Sequence, residues 1–239
     1  MTILALQNVS KSYGALKVTQ DVSFALEKGE ALGIIGPNGA GKSTLFNLVT
    51  GNVDVDGGRI IFEGRDVTST PPMARCLAGV GRTFQIPQPF DKLTVFENLL
   101  VAGTFGASQS ESEATDRCAD IMWRTGLSPR ANDMAGGLSL LQRKRLELAR
   151  ALATRPTLLL LDEIAGGLTE GECGQLVDTI RAVHETGISI VWIEHVLHAL
   201  TAIVGRLLVL DFGKVIGIGQ PDEIMASKAV REIYLGIDV

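Results

Sequence analysis

Residues Gly36-Pro37-Asn38-Gly39-Ala40-Gly41-Lys42-Ser43 spell G-x-x-x-x-G-K-S, the spacing of a phosphate-binding loop. An apolar run, Ala31-Leu32-Gly33-Ile34-Ile35, leads into it and reads as a buried strand; Thr44-Leu45-Phe46-Asn47-Leu48-Val49 follows as a helix closed by Gly51. Glycines let the backbone wrap a polyphosphate, so that successive N–H groups and the helix N-terminus point at it. Lys42 then reaches the β/γ-phosphates, and the Ser43 hydroxyl ligates Mg²⁺. Glycine-rich turns also join strands to helices with no ligand, but the whole motif in this setting predicts a bound nucleoside triphosphate.

At 239 residues the chain is long enough for one large domain, or for a core plus a subdomain. A net charge of −5 with no large basic stretch argues against a nucleic-acid partner. Cys76, Cys118 and Cys173 are odd in number and widely spaced, which predicts free thiols in a reducing compartment. The stretch Met1–Leu6 has no basic region and reads as a strand rather than a signal peptide. No uncharged apolar segment approaches the roughly 20 residues that a membrane span needs. These features predict a soluble, cytoplasmic protein that can still dock on a membrane protein.

Early strands such as Gly58–Glu63 are separated by turn residues. Later ones alternate with helices: Thr157–Leu161, a helix near Glu172–His184, Ile188–Ile193 and Leu207–Asp211, the pattern of βαβ units building a parallel sheet. Between them, residues 87–155 read as helical. Asp91–Ala102 carries Leu93, Phe96, Leu99 and Leu100 at helical spacing, and Ser112–Thr125 is a second helix. Leu141–Ala153 places Leu146, Ala149, Leu152 and Ala153 on one side, with Arg143, Lys144 and Arg150 elsewhere. The expected fold class is therefore α/β: a nucleotide-binding core over residues 1–86 and 156–239, with a helical subdomain inserted at 87–155.

Leu158-Leu159-Leu160-Leu161-Asp162-Glu163 is an apolar strand ending in two acids. Such a strand is central in its sheet, and acids at its C-terminal end face the ligand crevice. Asp162 would hold the Mg²⁺ hydration shell and Glu163 would polarise the water that attacks the γ-phosphate.

Further motifs follow in order: Gly81-Arg82-Thr83-Phe84-Gln85, Leu93-Thr94-Val95-Phe96-Glu97-Asn98, Arg145-Leu146-Glu147-Leu148-Ala149-Arg150-Ala151-Leu152 and Tyr234-Leu235-Gly236. With them the chain resembles, over essentially its full length, the ATP-binding subunits of ABC transporters, and within these the branched-chain amino acid importer group. The resemblance implies a P-loop NTPase (RecA-like) core, an antiparallel β subdomain and the inserted helical subdomain. It also implies ATP and Mg²⁺ as ligands and one domain over residues 1–239.

Roles follow position by position. Tyr13, before Gly14, matches the aromatic that stacks on adenine, the alternative being an ordinary half-buried strand tyrosine. Gln85 matches the glutamine that senses Mg²⁺ and the γ-phosphate, and His195 the switch histidine that hydrogen-bonds the γ-phosphate. A lone histidine is otherwise more often structural, which is how His184 and His198 read.

Leu138-Ser139-Leu140-Leu141-Gln142 occupies the signature position, where the family usually has Leu-Ser-Gly-Gly-Gln. In the family two subunits face head to tail, and each ATP lies between one phosphate loop and the partner's signature. Ser139 and Gln142 remain, but a Cβ at Leu140 and Leu141 can obstruct the close approach that glycine allows. Three readings stay open: normal hydrolysis, weakened hydrolysis, or a site completed only by a different partner subunit. Ile164 replaces the usual proline, and Thr169 falls where Asp or Asn is typical.

The resemblance implies an ATPase subunit that dimerises around two Mg-ATP and drives a membrane permease from the inner face of the membrane, a solute-binding protein supplying cargo. The cargo class would be branched-chain or other small amino acids, or related amides. Phe84, Ile86, Phe90 and Phe96 would form the apolar floor of the permease contact, or fill the subdomain core. A non-hydrolysing regulatory subunit and a soluble non-transport ABC ATPase are the competing classes.

Overall fold

A computed structural model describes residues 1–235. Along the chain they form β1 (Thr2–Tyr13), β2 (Leu16–Glu27), β3 (Ala31–Ile35), α1 (Lys42–Thr50), β4 (Gly57–Phe62), β5 (Arg65–Asp66) and α2 (Pro72–Leu77). Next come β6 (Val80–Arg82), α3 (Val95–Gly106), α4 (Glu111–Arg124), α5 (Leu140–Ala153), β7 (Leu158–Asp162) and α6 (Glu170–His184). The chain continues with β8 (Ser189–Ile193), α7 (Leu197–Thr201), β9 (Arg206–Asp211), β10 (Lys214–Gly219), α8 (Pro221–Ala226) and α9 (Lys228–Leu235). These elements gather into two compact units: Met1–Pro72 with the segment from Ser189 onward, and Met73–Ile188.

The first unit holds two sheets. In one, β2-β1-β4-β5 run antiparallel, and β2 alternates buried Val22, Phe24 and Leu26 with exposed Ser23, Ala25 and Glu27. That period of two covers one face and wets the other, as expected for an antiparallel β subdomain. In the second, the order is β10-β9-β3-β8, with β3 parallel to both β8 and β9. Every residue of β3 and β8 is buried, which explains why these strands read as continuous apolar runs rather than alternating ones.

The second unit contains β6 parallel to β7, with Val80 opposite Leu158 and Arg82 opposite Leu160. It also contains the three helices α3, α4 and α5, whose facing residues Leu99, Cys118, Ile121 and Leu146 are buried. The whole of segment 87–155 lies in this unit, together with β6, β7 and α6.

One helix differs from its expected start. The helix anticipated from Asp91 begins at Val95, because Thr94 is extended at φ −67° and ψ 165° and caps it. The Thr94 hydroxyl accepts from the Glu97 N–H, and the Glu97 carboxylate takes the Thr94 N–H in return. Residues 91–95 instead bond across to 133–136: the Val95 N–H donates to the Asp133 carbonyl, and the Asp91 and Leu93 carbonyls accept from Gly136 and Ala135. Gly236, the last residue of the Tyr234-Leu235-Gly236 match, lies outside the described residues. No helix among the described residues is long and apolar enough to cross a membrane.

Candidate nucleotide site

In the first unit the loop after β3 is shaped by glycine. A Cβ on Gly36 would lie 2.1 Å from the Leu210 carbonyl oxygen of β9, and one on Gly41 would lie 2.3 Å from the Val18 carbonyl oxygen of β2. Both contacts are with backbone, so neither neighbour can swing aside. Gly39 and Gly41 adopt φ values of 81° and 99°, which turn the loop and start α1 without a side-chain cap. The N–H groups at that helix N-terminus are the anion-binding feature expected of the motif. Lys42 is buried, its Nζ donating to the Gly36 carbonyl at 2.8 Å and the Pro37 carbonyl at 3.0 Å, which folds it back over the loop. Ala40 is buried, whereas Asn38, Gly39 and Ser43 are exposed and Thr44 is half-buried. A cradle that a Cβ would fill, with a cation turned into it, fits a polyphosphate.

Two more expected residues belong to this unit. Ile34 and Ile193 are partners in the parallel register of β3 and β8. Gly36 and His195, each two residues further on, therefore leave the sheet at the same carboxyl edge, where ligands of open α/β sheets bind. His195 is exposed. The neighbouring Glu194 is buried at 1% exposure, and its carboxylate accepts the His195 N–H at 2.9 Å, fixing the turn that presents the imidazole. Tyr13 closes the β1–β2 hairpin opposite Leu16, on the strand pair that supplies the Val18 carbonyl. Its ring is half exposed, with Lys11 Nζ 5.7 Å from the centroid.

The second unit brings together the glutamine and the acids. Asp162 ends β7, where its N–H is taken by the Thr83 hydroxyl at 3.1 Å and its carboxylate pairs with Arg82 Nη2 at 2.9 Å. Glu163 follows in the left-handed region at φ 46°, a conformation that costs a non-glycine residue roughly 1–3 kcal/mol and concentrates at functional sites. Its carboxylate receives a hydrogen bond from the Gln85 side-chain amide. Two of the expected catalytic residues thus touch directly.

Ser139 and Gln142 also pair, as the capping box of α5: the Ser139 N–H donates to Gln142 Oε1 at 2.9 Å, and the Gln142 N–H to the Ser139 hydroxyl at 3.4 Å. Leu141 is buried while Leu140 is 43% exposed. The signature leucines therefore divide, one packing inward and one standing at the helix N-terminus. Thr169 caps α6 through a second box with Glu172. Phe84, Ile86 and Phe90 are exposed at 46%, 70% and 47%, so they do not fill a core. Arg82 and Arg150 lie over the Phe84 and Phe90 rings at 5.1 and 5.2 Å.

Set against known proteins, residues 19–166 match the sequence model of the ABC transporter family. The chain belongs to the ABC transporter family. It is 34% identical to the probable branched-chain amino acid transport ATP-binding protein LivG of Methanocaldococcus jannaschii, over 99% of this chain and 98% of that one. It is 32% identical to the lipopolysaccharide export system ATP-binding protein LptB of Escherichia coli K12, over 100% and 99%. An ATP-binding cassette of an ABC transporter, solved in its ADP conformation, superposes with a TM-score of 0.90 at 34% identity over 99% of this chain and all of that one. The fold is thus that of an ABC ATPase, and the chain is an ATP-hydrolysing subunit of a transporter.

The Ser43 hydroxyl in the first unit of this ABC cassette, and the Asp162 carboxylate in the second, are each an oxygen donor of the type that Mg²⁺ takes. Four residues carry more of the site than their sequence positions suggested. Arg82 neutralises Asp162, Glu194 braces His195, and Lys144 and Glu147 are buried at 3% and 4% exposure on α5. Lys144 donates to the main-chain carbonyls of both Gln85 and Glu163. In the sequence all four were simply charged residues, Arg82 and Glu147 inside motif blocks and Lys144 and Glu194 outside them, and charge alone does not reveal burial.

Proposed function

We propose that this ABC ATPase powers uptake of branched-chain or related small amino acids, or amides, through a membrane permease. The contact of the Gln85 amide with the Glu163 carboxylate, one residue from exposed Phe84 and Ile86, is the observation that carries the coupling. In this reading Tyr13 stacks on adenine, while Gly36, Asn38, Gly39, Ala40, Gly41 and Thr44 wrap the phosphates. Lys42 neutralises the β/γ-phosphates. Ser43 and Asp162 hold Mg²⁺, and Gln85 senses it. When bound, the ion supplies charge neutralisation at the γ-phosphate.

Glu163 takes the proton of the attacking water, and His195 donates to the γ-phosphate. Ser139 and Gln142, at the N-terminus of α5, address the ATP of a partner cassette. Closure around two Mg-ATP moves the permease, and hydrolysis with product release reopens the dimer. The protein acts at the inner face of the cell membrane, and its cargo reaches the permease from a solute-binding protein.

The cargo assignment leans on the LivG relatives. Export is the second reading, favoured by the LptB relative of nearly equal identity. Gentle pull-down of the tagged chain from its own membranes separates them. Co-purification of a permease pair, a second ATPase and a solute-binding protein supports uptake, and the binding protein can then be screened for its ligand. Recovery of envelope-assembly components without a solute-binding protein supports export. Ribosomal or DNA-repair partners with no integral membrane protein would overturn the transport reading.

A further inference from the structure

One side of α5 is built from charge rather than from apolar residues. Lys144, Glu147 and Arg150 recur every third residue, so they are neighbours along the helix surface. Each addresses the backbone of the irregular segment Phe84–Gln88. Lys144 Nζ donates to the Gln85 carbonyl at 2.8 Å, and Arg150 Nη1 to the Gln88 carbonyl at 2.8 Å. The backbone N–H groups of Phe84 and Gln88 favour the charged Glu147 carboxylate electrostatically, and Arg150 pairs with it at 3.2 Å. Two main-chain carbonyls of this segment are thus satisfied by one helix. The same Lys144 Nζ reaches the Glu163 carbonyl at 3.2 Å, at the residue held in the left-handed conformation.

We infer that Lys144, with Glu147 and Arg150, forms a clamp that makes the Gln85 segment, the Glu163 turn and the α5 N-terminus move as one body. Lys144 is its central positioning residue. Gln85 and Glu163 are held to each other twice, side chain to side chain directly and main chain to main chain through Nζ. Ser139 lies five residues from Lys144 at the start of the same helix, a span of about 7.5 Å along a rigid rod. A shift of Gln85 is therefore passed to Ser139 through one ammonium and less than two helical turns. Removing that ammonium takes the donor from the Gln85 carbonyl and unties it from the Glu163 carbonyl, which keeps the Gly166 N–H, so the segment loses its link to the Glu163 turn. The inference rests on the roles proposed above for Gln85, Glu163 and Ser139.

The test compares wild type, Lys144→Met, Lys144→Arg and Glu163→Gln as full-length protein. Steady-state hydrolysis of Mg-ATP is measured together with hydrogen exchange over residues 84–88 and 139–142, with and without nucleotide. A positioning role predicts that Lys144→Met lowers kcat by about tenfold or more while KM changes by less than about threefold. Lys144→Arg, which keeps N–H donors, should recover most of that loss. In wild type the two segments should gain protection together when Mg-ATP binds, and in Lys144→Met they should respond separately.

Wild-type kcat and a joint exchange response in Lys144→Met, beside an inactive Glu163→Gln, would overturn the clamp and leave the catalytic assignment standing. A fully active Glu163→Gln would instead overturn that assignment, whatever Lys144→Met does. Should Lys144→Met fail to fold, Arg150→Ala carries the same exchange test, because it removes the contacts to Gln88, Glu147 and the Phe90 ring and leaves Lys144 in place. Its retained joint response would count against the clamp, and a divided one for it.

Discussion

Glu163 sits at φ 46° with its carboxylate on the Gln85 amide and its carbonyl under Lys144, so side chain and backbone are both held in place. Gly36 is equally constrained, by the Leu210 carbonyl 2.1 Å from where a Cβ would stand. Gly36→Ala should therefore destabilise the protein by roughly 1–3 kcal/mol and abolish nucleotide binding, read by thermal melting and by titration with a fluorescent ATP analogue. Cys118 is buried, which pushes its thiol up to about 11 despite the opposing charge of Arg117. At about pH 8 only on the order of one thiol in a thousand is ionised, so an alkylating reagent should leave Cys118 unmodified until denaturant is added. Rapid native labelling would contradict that packing. Lys42 and Ser43 were expected from the spacing of the phosphate-loop motif, and Asp162 and Glu163 from their place at the end of an apolar strand, whereas the role of Gln85 came only from the family resemblance. Lys144, Glu147, Arg82 and Glu194 were not legible in the sequence. A buried charge is defined by partners distant in the chain, and one sequence shows only that the residue is polar.

Among the elements, α3 and α5 both begin in capping boxes, at Thr94 with Glu97 and at Ser139 with Gln142. Thr94→Ala should cost about 1 kcal/mol of stability in denaturant unfolding, since it orphans helix N–H groups. Burial raises the Glu147 carboxyl above its usual range, against the opposing influences of Arg150 and of the Gln88 and Phe84 N–H groups. A raised folded-state value favours the protonated form. That contribution to stability is complete below the unfolded value near 4.3 and is lost as pH rises through the folded one. Melting temperatures of Glu147→Gln and wild type should accordingly shift in the variant's favour as pH is raised from about 4 to about 7. A constant difference would argue against the burial of Glu147. The strands β3, β7 and β8 were readable as unbroken apolar runs, but the start of α3 was not. Leu93 fits a helical spacing, yet its carbonyl is taken by Ala135, a partner 42 residues away. Local periodicity cannot register such a bond.

At the scale of the molecule, the phosphate loop and His195 belong to one compact unit, and Gln85, Asp162, Glu163 and the signature turn to the other. Ligand binding should stabilise the native chain by mass action, about 2.7 kcal/mol at a hundredfold excess over Kd. A rise in melting temperature on adding Mg-ATP, absent in Lys42→Ala, would register it. The exposed Phe84, Ile86 and Phe90 mark the face that the proposed permease would cover. On this reading the cassette binds ATP through Lys42 and hydrolyses it through Glu163. Phosphate release measured beside ATP binding tests it most directly, on wild type, Lys42→Ala and Glu163→Gln. Wild type should turn over, and Lys42→Ala should bind ATP roughly 10- to 100-fold more weakly. Glu163→Gln should retain binding, with turnover slowed roughly 10²- to 10⁴-fold. Wild-type phosphate release from Glu163→Gln, or undiminished ATP affinity in Lys42→Ala, would contradict this reading.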